Sequence, residues 1–286
     1  MEVDPEPIEA AAQEVLDALG VPDGPIDPFA IAREEGIRLA AGDYGGSFDS
    51  RIEYRKKDNG RGRFFLFYAE AVPPWRPEGR VRFSLGHELG HYYLPEHREF
   101  VLTGDWHGSK TGFVSERRTE READLFAAAL LMPRSQFVEA VQLRCGGRCA
   151  MADLDKLSDI FQTSLTSTAF RYVRMDLEPC AVIVSSEGRV KSAVISDSMM
   201  GRGLSFIPHG HPVSKVSVTG RLHNIPSRSA GAQPSDVWFP DVDRTVPLWE
   251  EARQLGRTKL VLTLLVIHGD DVDNEDDDEQ LEDRDE

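Results

Sequence analysis

The chain has 286 residues, 40% hydrophobic and 29% charged, with a formal net charge of −16. That length holds one large domain or two modest ones with ample core, and the composition excludes fibrous and wholly disordered classes. The charge is concentrated: Gly269–Glu286 contributes −11 and the rest of the chain only −5. Such a tail buries too little apolar surface to fold and is expected to be a disordered, solvated extension. No stretch approaches the roughly 18 apolar residues of a membrane span. The acidic start MEVDPEPIEAAAQEVLDAL is the opposite of a basic secretory leader, so a cytoplasmic protein without membrane attachment is expected. Cys145, Cys149 and Cys180 are an odd number. The C-G-G-R-C spacing fits neither a zinc knuckle nor a thioredoxin motif, so reduced thiols are expected rather than a second metal site.

In chain order, Ile8, Ala11, Ala12, Val15, Leu16 and Leu19 share one helical face that ends at Gly20. Asp27 before Pro28 reads as an N-cap followed by proline at the first helical position, with Gly36 closing that helix. Ile37–Ala41 and Arg63–Ala69 read as strands separated by a polar loop. A helix is expected from about Gly79 to Leu94, where Pro95 disfavours further α conformation. A long connection follows, Pro95–Val114, and then a helix over about Ser115–Leu131. Pro133 opens another helix, which runs to the CGG breaker. Two short helices, Asp153–Phe161 and Ser167–Met175, flank QTSLT in a helix-turn-helix layout. From Cys180 the pattern alternates: CAVIVSS and VKSAVIS form a hairpin, a helix is expected near Leu248–Leu255, and KLVLTLLVI closes as a strand. The expected architecture is α+β: a mainly helical zincin-like peptidase domain with a small sheet over 1–149 and a helix-turn-helix-like linker over 150–177. A C-terminal α+β domain over 178–268, sensory or bracing, and the acidic tail over 269–286 complete it.

The chemistry lies in RVRFSLGHELGHYYLPEH, residues 80–97. His87 and His91 are four apart on a helix, so both imidazoles project from one face and can share an ion. Glu88 is placed to reach a water on that ion. The third ligand has two contenders. His97 lies six residues after His91, but metalloproteases with that spacing turn sharply at a glycine, where this chain has Leu94. Forcing such a side chain to positive φ costs roughly 1–2 kcal/mol. Glu120 lies 29 residues beyond His91 on the next long helix and completes a His₂Glu set with an open fourth position. Asp124, one turn later, is suited to accept the second N–H of a ligating imidazole. Glu116 and Glu122 read as solvated charge. Gly86 and Gly90 make a bare strip beside the histidines, which suggests a closely approaching partner helix.

RFSLGHELGH followed by EREADLFAAALLMP resembles the ImmA/IrrE metallopeptidase family, with Gly86 and Asp124 where that family usually has alanine and asparagine. The helix pair and the C-terminal PCAVIVSSEGRVKSAV and LGRTKLVLTLLVI resemble later parts of longer members. The resemblance implies a metal-dependent endopeptidase with Glu88 as catalytic base, His87, His91 and Glu120 as ligands, and zinc, or alternatively manganese, as the ion. It also implies a narrow substrate, a helix-turn-helix transcriptional repressor cleaved to release stress-response or mobile-element genes. Tyr92, Tyr93 and His107 are weak candidates to steady the reacting oxygen, and the Phe64–Phe67 strand is a candidate to pair with an extended peptide. The competing class is a DNA-binding regulator with a structural metal. Its reading helix offers only Arg171 and Arg174, and the preceding helix carries Asp153, Asp155 and Asp159, a poor surface for phosphate. Direct DNA binding is therefore not expected.

Overall fold

The computed structural model describes residues 3–45, 47–56, 62–69, 78–103, 118–146, 149–222, 228–242, 245–256 and 258–267. The acidic tail and His107 lie outside them. The chain divides into two compact units, Met1–Leu177 and Glu178–Glu286. The mixed α and β content is the expected fold class, and the helix-turn-helix-like pair falls inside the first unit.

The first unit opens with α1 (Glu6–Leu19), ended by Gly20 in the left-handed region, and α2 (Pro28–Glu34). Asp27 caps α2 by accepting the Phe29 N–H at 2.9 Å. Three strands follow: β1 (Arg38–Gly42), β2 (Ser50–Lys56) and β3 (Gly62–Ala69). The sheet order is β1-β3-β2, with β1 parallel and β2 antiparallel to β3. Where the sequence suggested a polar loop, SRIEYRK is thus an edge strand. Ser50 and Ile52 are its buried positions, and the alternation is diluted by the charged residues that edge strands carry. Because β3 is hydrogen-bonded on both sides, the Phe64–Phe67 segment has no edge to offer an extended peptide.

Then come α3 (Glu78–Tyr93), α4 (Pro95–Thr103), α5 (Arg118–Leu131), α6 (Arg134–Cys145), α7 (Met151–Phe161) and α8 (Leu165–Arg174). The connection expected after Pro95 is therefore helical through Thr103. Proline at a first helical position starts a helix as readily as it ends the one before. Leu85 and Leu89 of α3, Phe126 and Leu130 of α5, Leu66 of β3, Ile31 of α2 and Leu16 of α1 form the central core. Each such side chain contributes roughly 1.5–3 kcal/mol when fully removed from water.

Helix α3 is buried on nearly every side although its sequence is polar, with every residue from Ser84 to Tyr92 enclosed. Its polar groups are therefore held by specific partners. Arg82, 6% exposed, donates to the Gln162 carbonyl at 3.0 Å and the Ile26 carbonyl at 2.5 Å. This pins the start of α3 to the turn between α7 and α8. A Cβ at Gly79 would lie 2.6 Å from the Thr163 backbone, so that turn packs directly on α3.

Gly86 faces Ala127 and Gly90 faces Ala123, so α3 and α5 run antiparallel at close approach. A Cβ at Gly90 would lie 3.1 Å from Ala123 Cα and 3.3 Å from its carbonyl oxygen, both backbone atoms of α5. Gly90→Leu should therefore force the helices apart and lower the unfolding free energy by about 1–3 kcal/mol. The check is the denaturant midpoint, and an unchanged midpoint would show that the bare strip is not what sets the spacing.

The second unit contains an antiparallel sheet in the order β5-β4-β8-β7-β6. Its elements are β4 (Cys180–Ser186), β5 (Arg189–Ile195), the short helices α9 (Asp197–Met200) and α10 (Val218–Arg221), β6 (Arg228–Pro234), β7 (Pro247–Gln254) and β8 (Leu260–Ile267). The expected hairpin and closing strand are present, but the helix expected near Leu248–Leu255 is strand β7. Glu, Ala, Arg and Gln favour a helix locally, and tertiary context overrides them. β7 is paired on both edges, and Leu248, Glu250 and Ala252 are all fully buried at alternate positions. Buried Glu250 accepts the Val218 and Thr219 N–H groups at 3.1 and 2.8 Å, which satisfies the start of α10.

Candidate active site

The antiparallel packing of α3 on α5 brings His87 opposite Asp124 and His91 opposite Glu120. Both imidazoles turn Nε2 to a common point: the two nitrogens are 3.1 Å apart. The Glu120 oxygens lie 3.5 Å from Nε2 of His87 and 3.6 Å from Nε2 of His91. A four-coordinate ion with bonds of about 2.0–2.1 Å spaces its donors about 3.3 Å apart, and these separations bracket that figure. Two imidazole nitrogens and one carboxylate, with no fourth protein donor brought to the point by these helices, form a set that fits zinc with a position open.

The remaining nitrogens explain how the rings are held. Nδ1 of His87 lies 2.8 Å from Oδ1 of Asp124, which makes Nδ1 the donor to Asp124 and Nε2 the nitrogen that turns a lone pair to an ion once its own proton has left. Burial opposes charging of His87, but the hydrogen bonds to Asp124 and Glu120 and the charges of Asp124 and Glu88 outweigh it. The imidazole is lifted to about 10. On the other side, Nδ1 of His91 lies 3.1 Å from Nδ1 of His97, and Nε2 of His97 lies 2.9 Å from Glu122. With Nε2 of His91 facing the site, one proton order is consistent: His91 Nδ1–H donates to His97, and His97 Nε2–H donates to Glu122. Arg118 closes the chain at 2.7 Å from Glu122. Burial works against ionising Glu122, yet His97 and Arg118 hold its carboxyl below the ordinary value.

His97 is therefore neither a loop residue nor a third ligand, since it presents no nitrogen to the common point. Glu122, read from sequence as solvated, is buried. Its pair with Arg118, four residues earlier, is legible in the sequence, but the one with His97 is spatial: it exists only once α4 is a helix and His97 points back at His91.

Glu88 is 1% exposed. Its Oε1 lies 2.8 Å from the Ser50 hydroxyl, and Oε2 accepts the Ile52 N–H at 2.8 Å. The edge strand β2 thus orients the carboxylate with its outward-facing groups. Burial raises the Glu88 carboxyl above its usual range, partly offset by His87, Ser50 and Ile52. A raised carboxyl is a better proton acceptor near neutral pH than a surface one. A cleft of about 280 Å³ opens here, lined by Ile52, Glu88, His91, His97, Phe100 and Val101, with Glu96 and Thr119. Tyr92 and Tyr93 stand outside it. Their hydroxyls donate to the two Glu35 oxygens at 2.9 and 2.8 Å, so both brace α3 against the end of α2.

Residues 51–171, from β2 into α8, match the model of the peptidase M78 family, described as an IrrE N-terminal-like domain. This span is similar to an M78 peptidase domain. The matched span holds His87, Glu88, His91, Glu120 and Asp124, and it also includes His97, Glu122 and Ile52 of the Glu88 clamp, with Ser50 just ahead of it. The match agrees with the ImmA/IrrE resemblance seen in the two motifs. Among curated proteins none matches the chain. A solved structure titled a Mycobacterium tuberculosis transcriptional regulator shares the fold, with a TM-score of 0.56 at 16% identity. The alignment covers 91% of this chain and 76% of that one. Among the described residues no helix is long and apolar enough to cross a membrane.

Proposed function

We propose that the chain is a zinc-dependent endopeptidase that cleaves a helix-turn-helix transcriptional repressor. The observation that supports the catalytic part is the convergence of His87, His91 and Glu120 on one point beside a buried, strand-clamped Glu88. An ion held there would polarise the scissile carbonyl and lower the pKa of water to about 7. Glu88 receives the proton of the attacking water and passes it to the departing amine. Ser50 and Ile52 keep the carboxylate aimed throughout, each leaving its bonded oxygen a second lone pair. Asp124 holds the His87 ring, and the His97–Glu122 pair holds His91. The apolar wall of Ile52, Phe100 and Val101 excludes water from one side of the cleft.

The regulatory part rests on the ImmA/IrrE resemblance and on the fold shared with a transcriptional regulator. A DNA-reading role for α8 is disfavoured by its arginines. Arg171 is 1% exposed, paired with Glu9 and bonded to the Met132 carbonyl at 3.0 Å, so only Arg174 is exposed. The helix pair serves instead as packing for α3. The test is incubation of the purified chain with the repressor encoded nearest its gene, with and without chelator. A single cut, lost on chelation and restored by zinc, is the expected result. A repressor left whole in the presence of zinc contradicts the substrate, and a cut that survives chelation contradicts the metal.

His97→Asn and Glu122→Gln should each weaken zinc binding by about 10–100-fold, the usual effect of losing a group that orients a metal-bound imidazole. Competition with a chromophoric chelator measures it. Wild-type affinity in both variants would reduce the pair to a packing role.

A further inference from the structure

We propose that Cys145 and Cys149 are a redox pair that a hydroperoxide converts to a disulfide. This stands apart from the peptidase reading and does not depend on it. Helix α6 ends at Cys145, and Gly146, at φ 54°, reverses the chain. Cys149 lies two residues ahead of Met151, where α7 starts. The two sulfurs lie 2.9 Å apart, inside ordinary nonbonded contact, so a bond of about 2.05 Å needs a closure of only about 0.9 Å.

The same cluster offers Asp153 as a third donor for an ion. Its carboxylate is already committed. One oxygen accepts the Ala150 N–H at 3.2 Å, capping α7, and the other pairs with Lys156 at 2.9 Å. The two thiols are in contact with each other, at 2.9 Å. Exposure sets the order of events: Cys145 is partly exposed, whereas Cys149 is 2% exposed. The Cys145 sulfur attacks the peroxide, an S–O bond forms as the O–O bond breaks, and water leaves. The Cys149 sulfur then attacks the resulting sulfenic acid, the S–S bond forms, and a second water departs. Two thiols are oxidised by two electrons, and hydrogen peroxide is reduced to two waters. The bridge pins the end of α6 to the start of α7.

The experiment exposes the full-length chain to a small excess of hydrogen peroxide, then alkylates it under denaturing conditions for intact-mass and peptide analysis. Cys180, fully buried in β4, is the internal control. The expected result is a loss of about 2 Da with only Cys180 alkylated, reversed by dithiothreitol. In Cys149→Ser the loss disappears and Cys145 gains about 16 Da instead. Either of two results overturns the proposal: alkylation of all three thiols after peroxide, or oxygen addition to Cys145 in the wild type without a bridge. A second zinc equivalent that shields both thiols from alkylation also overturns it, in favour of a metal site.

Discussion

Glu88→Gln should abolish peptide hydrolysis while leaving zinc bound. The substitution keeps the shape and removes the proton acceptor, and loss of a positioned general base costs typically 10²–10⁴-fold. Here the loss belongs at the upper end. Both Glu88 oxygens are fixed by β2, so no neighbouring carboxylate can swing into the same place, and Glu120 is occupied against the histidines. The glutamine amide also cannot accept at both oxygens: its NH₂ would face either Ser50 or the Ile52 N–H. Donor opposing donor at Ile52 is unfavourable, so the amide nitrogen should turn to Ser50, whose hydroxyl can accept. The fold therefore survives. Turnover of the repressor, zinc stoichiometry and the denaturant midpoint together decide the matter. Retained turnover would move the base elsewhere, and lost zinc would mean that the variant disrupts the site rather than the chemistry.

Glu120→Gln should weaken zinc by on the order of 10²–10³-fold, about one ligand's share of a binding free energy of roughly 10–16 kcal/mol. Asp124→Asn should have a smaller effect, because an amide oxygen still accepts from His87 Nδ1–H. Zinc binding to the wild type should strengthen with pH. His87, lifted to about 10 by Asp124, Glu120 and Glu88, carries an extra proton in the metal-free chain at neutral pH. That proton must leave before Nε2 can donate a lone pair, so apparent affinity rises about tenfold per pH unit up to about pH 10. The slope should flatten in Asp124→Asn, which removes a charge that holds the proton. A pH-independent affinity in the wild type contradicts the paired-carboxylate account of His87.

How far the sequence reached depends on whether the relevant physics is local. The four-residue spacing of His87 and His91, with Glu88 beside them, is a property of one helix and is legible directly. The glycines at 86 and 90 repeat that spacing on the adjacent strip, and they foretell the close partner helix that Ala123 and Ala127 supply. Glu120 and Asp124 were legible because they share a face one turn apart. The groups that hold the site in shape were not. Ser50 and Ile52 belong to an edge strand whose alternation is masked by Arg51, Glu53 and Arg55, and their bond to Glu88 spans more than thirty residues of chain. From sequence His97 suits a ligand and Glu122 suits solvated charge, because nothing local marks Pro95–Thr103 as a helix. A proline signals a break and a start equally well, and the sequence pattern does not separate them. β7 failed in the opposite direction: LWEEARQ carries good helix formers, and only pairing on both edges makes it a strand. Its alternate burial of Leu248, Glu250 and Ala252 contains a glutamate whose partner, the start of α10, is about thirty residues away.

The central claim is that one ion is held by His87, His91 and Glu120 and not by His97. Anomalous-difference diffraction at the zinc edge, on crystals grown with one equivalent of zinc, tests it most directly. The account predicts a single peak within bonding distance of Nε2 of His87, Nε2 of His91 and a Glu120 oxygen, with His97 in contact only with His91 and Glu122. A peak bonded to His97, or a peak at Cys145 and Cys149 with none between α3 and α5, would contradict it.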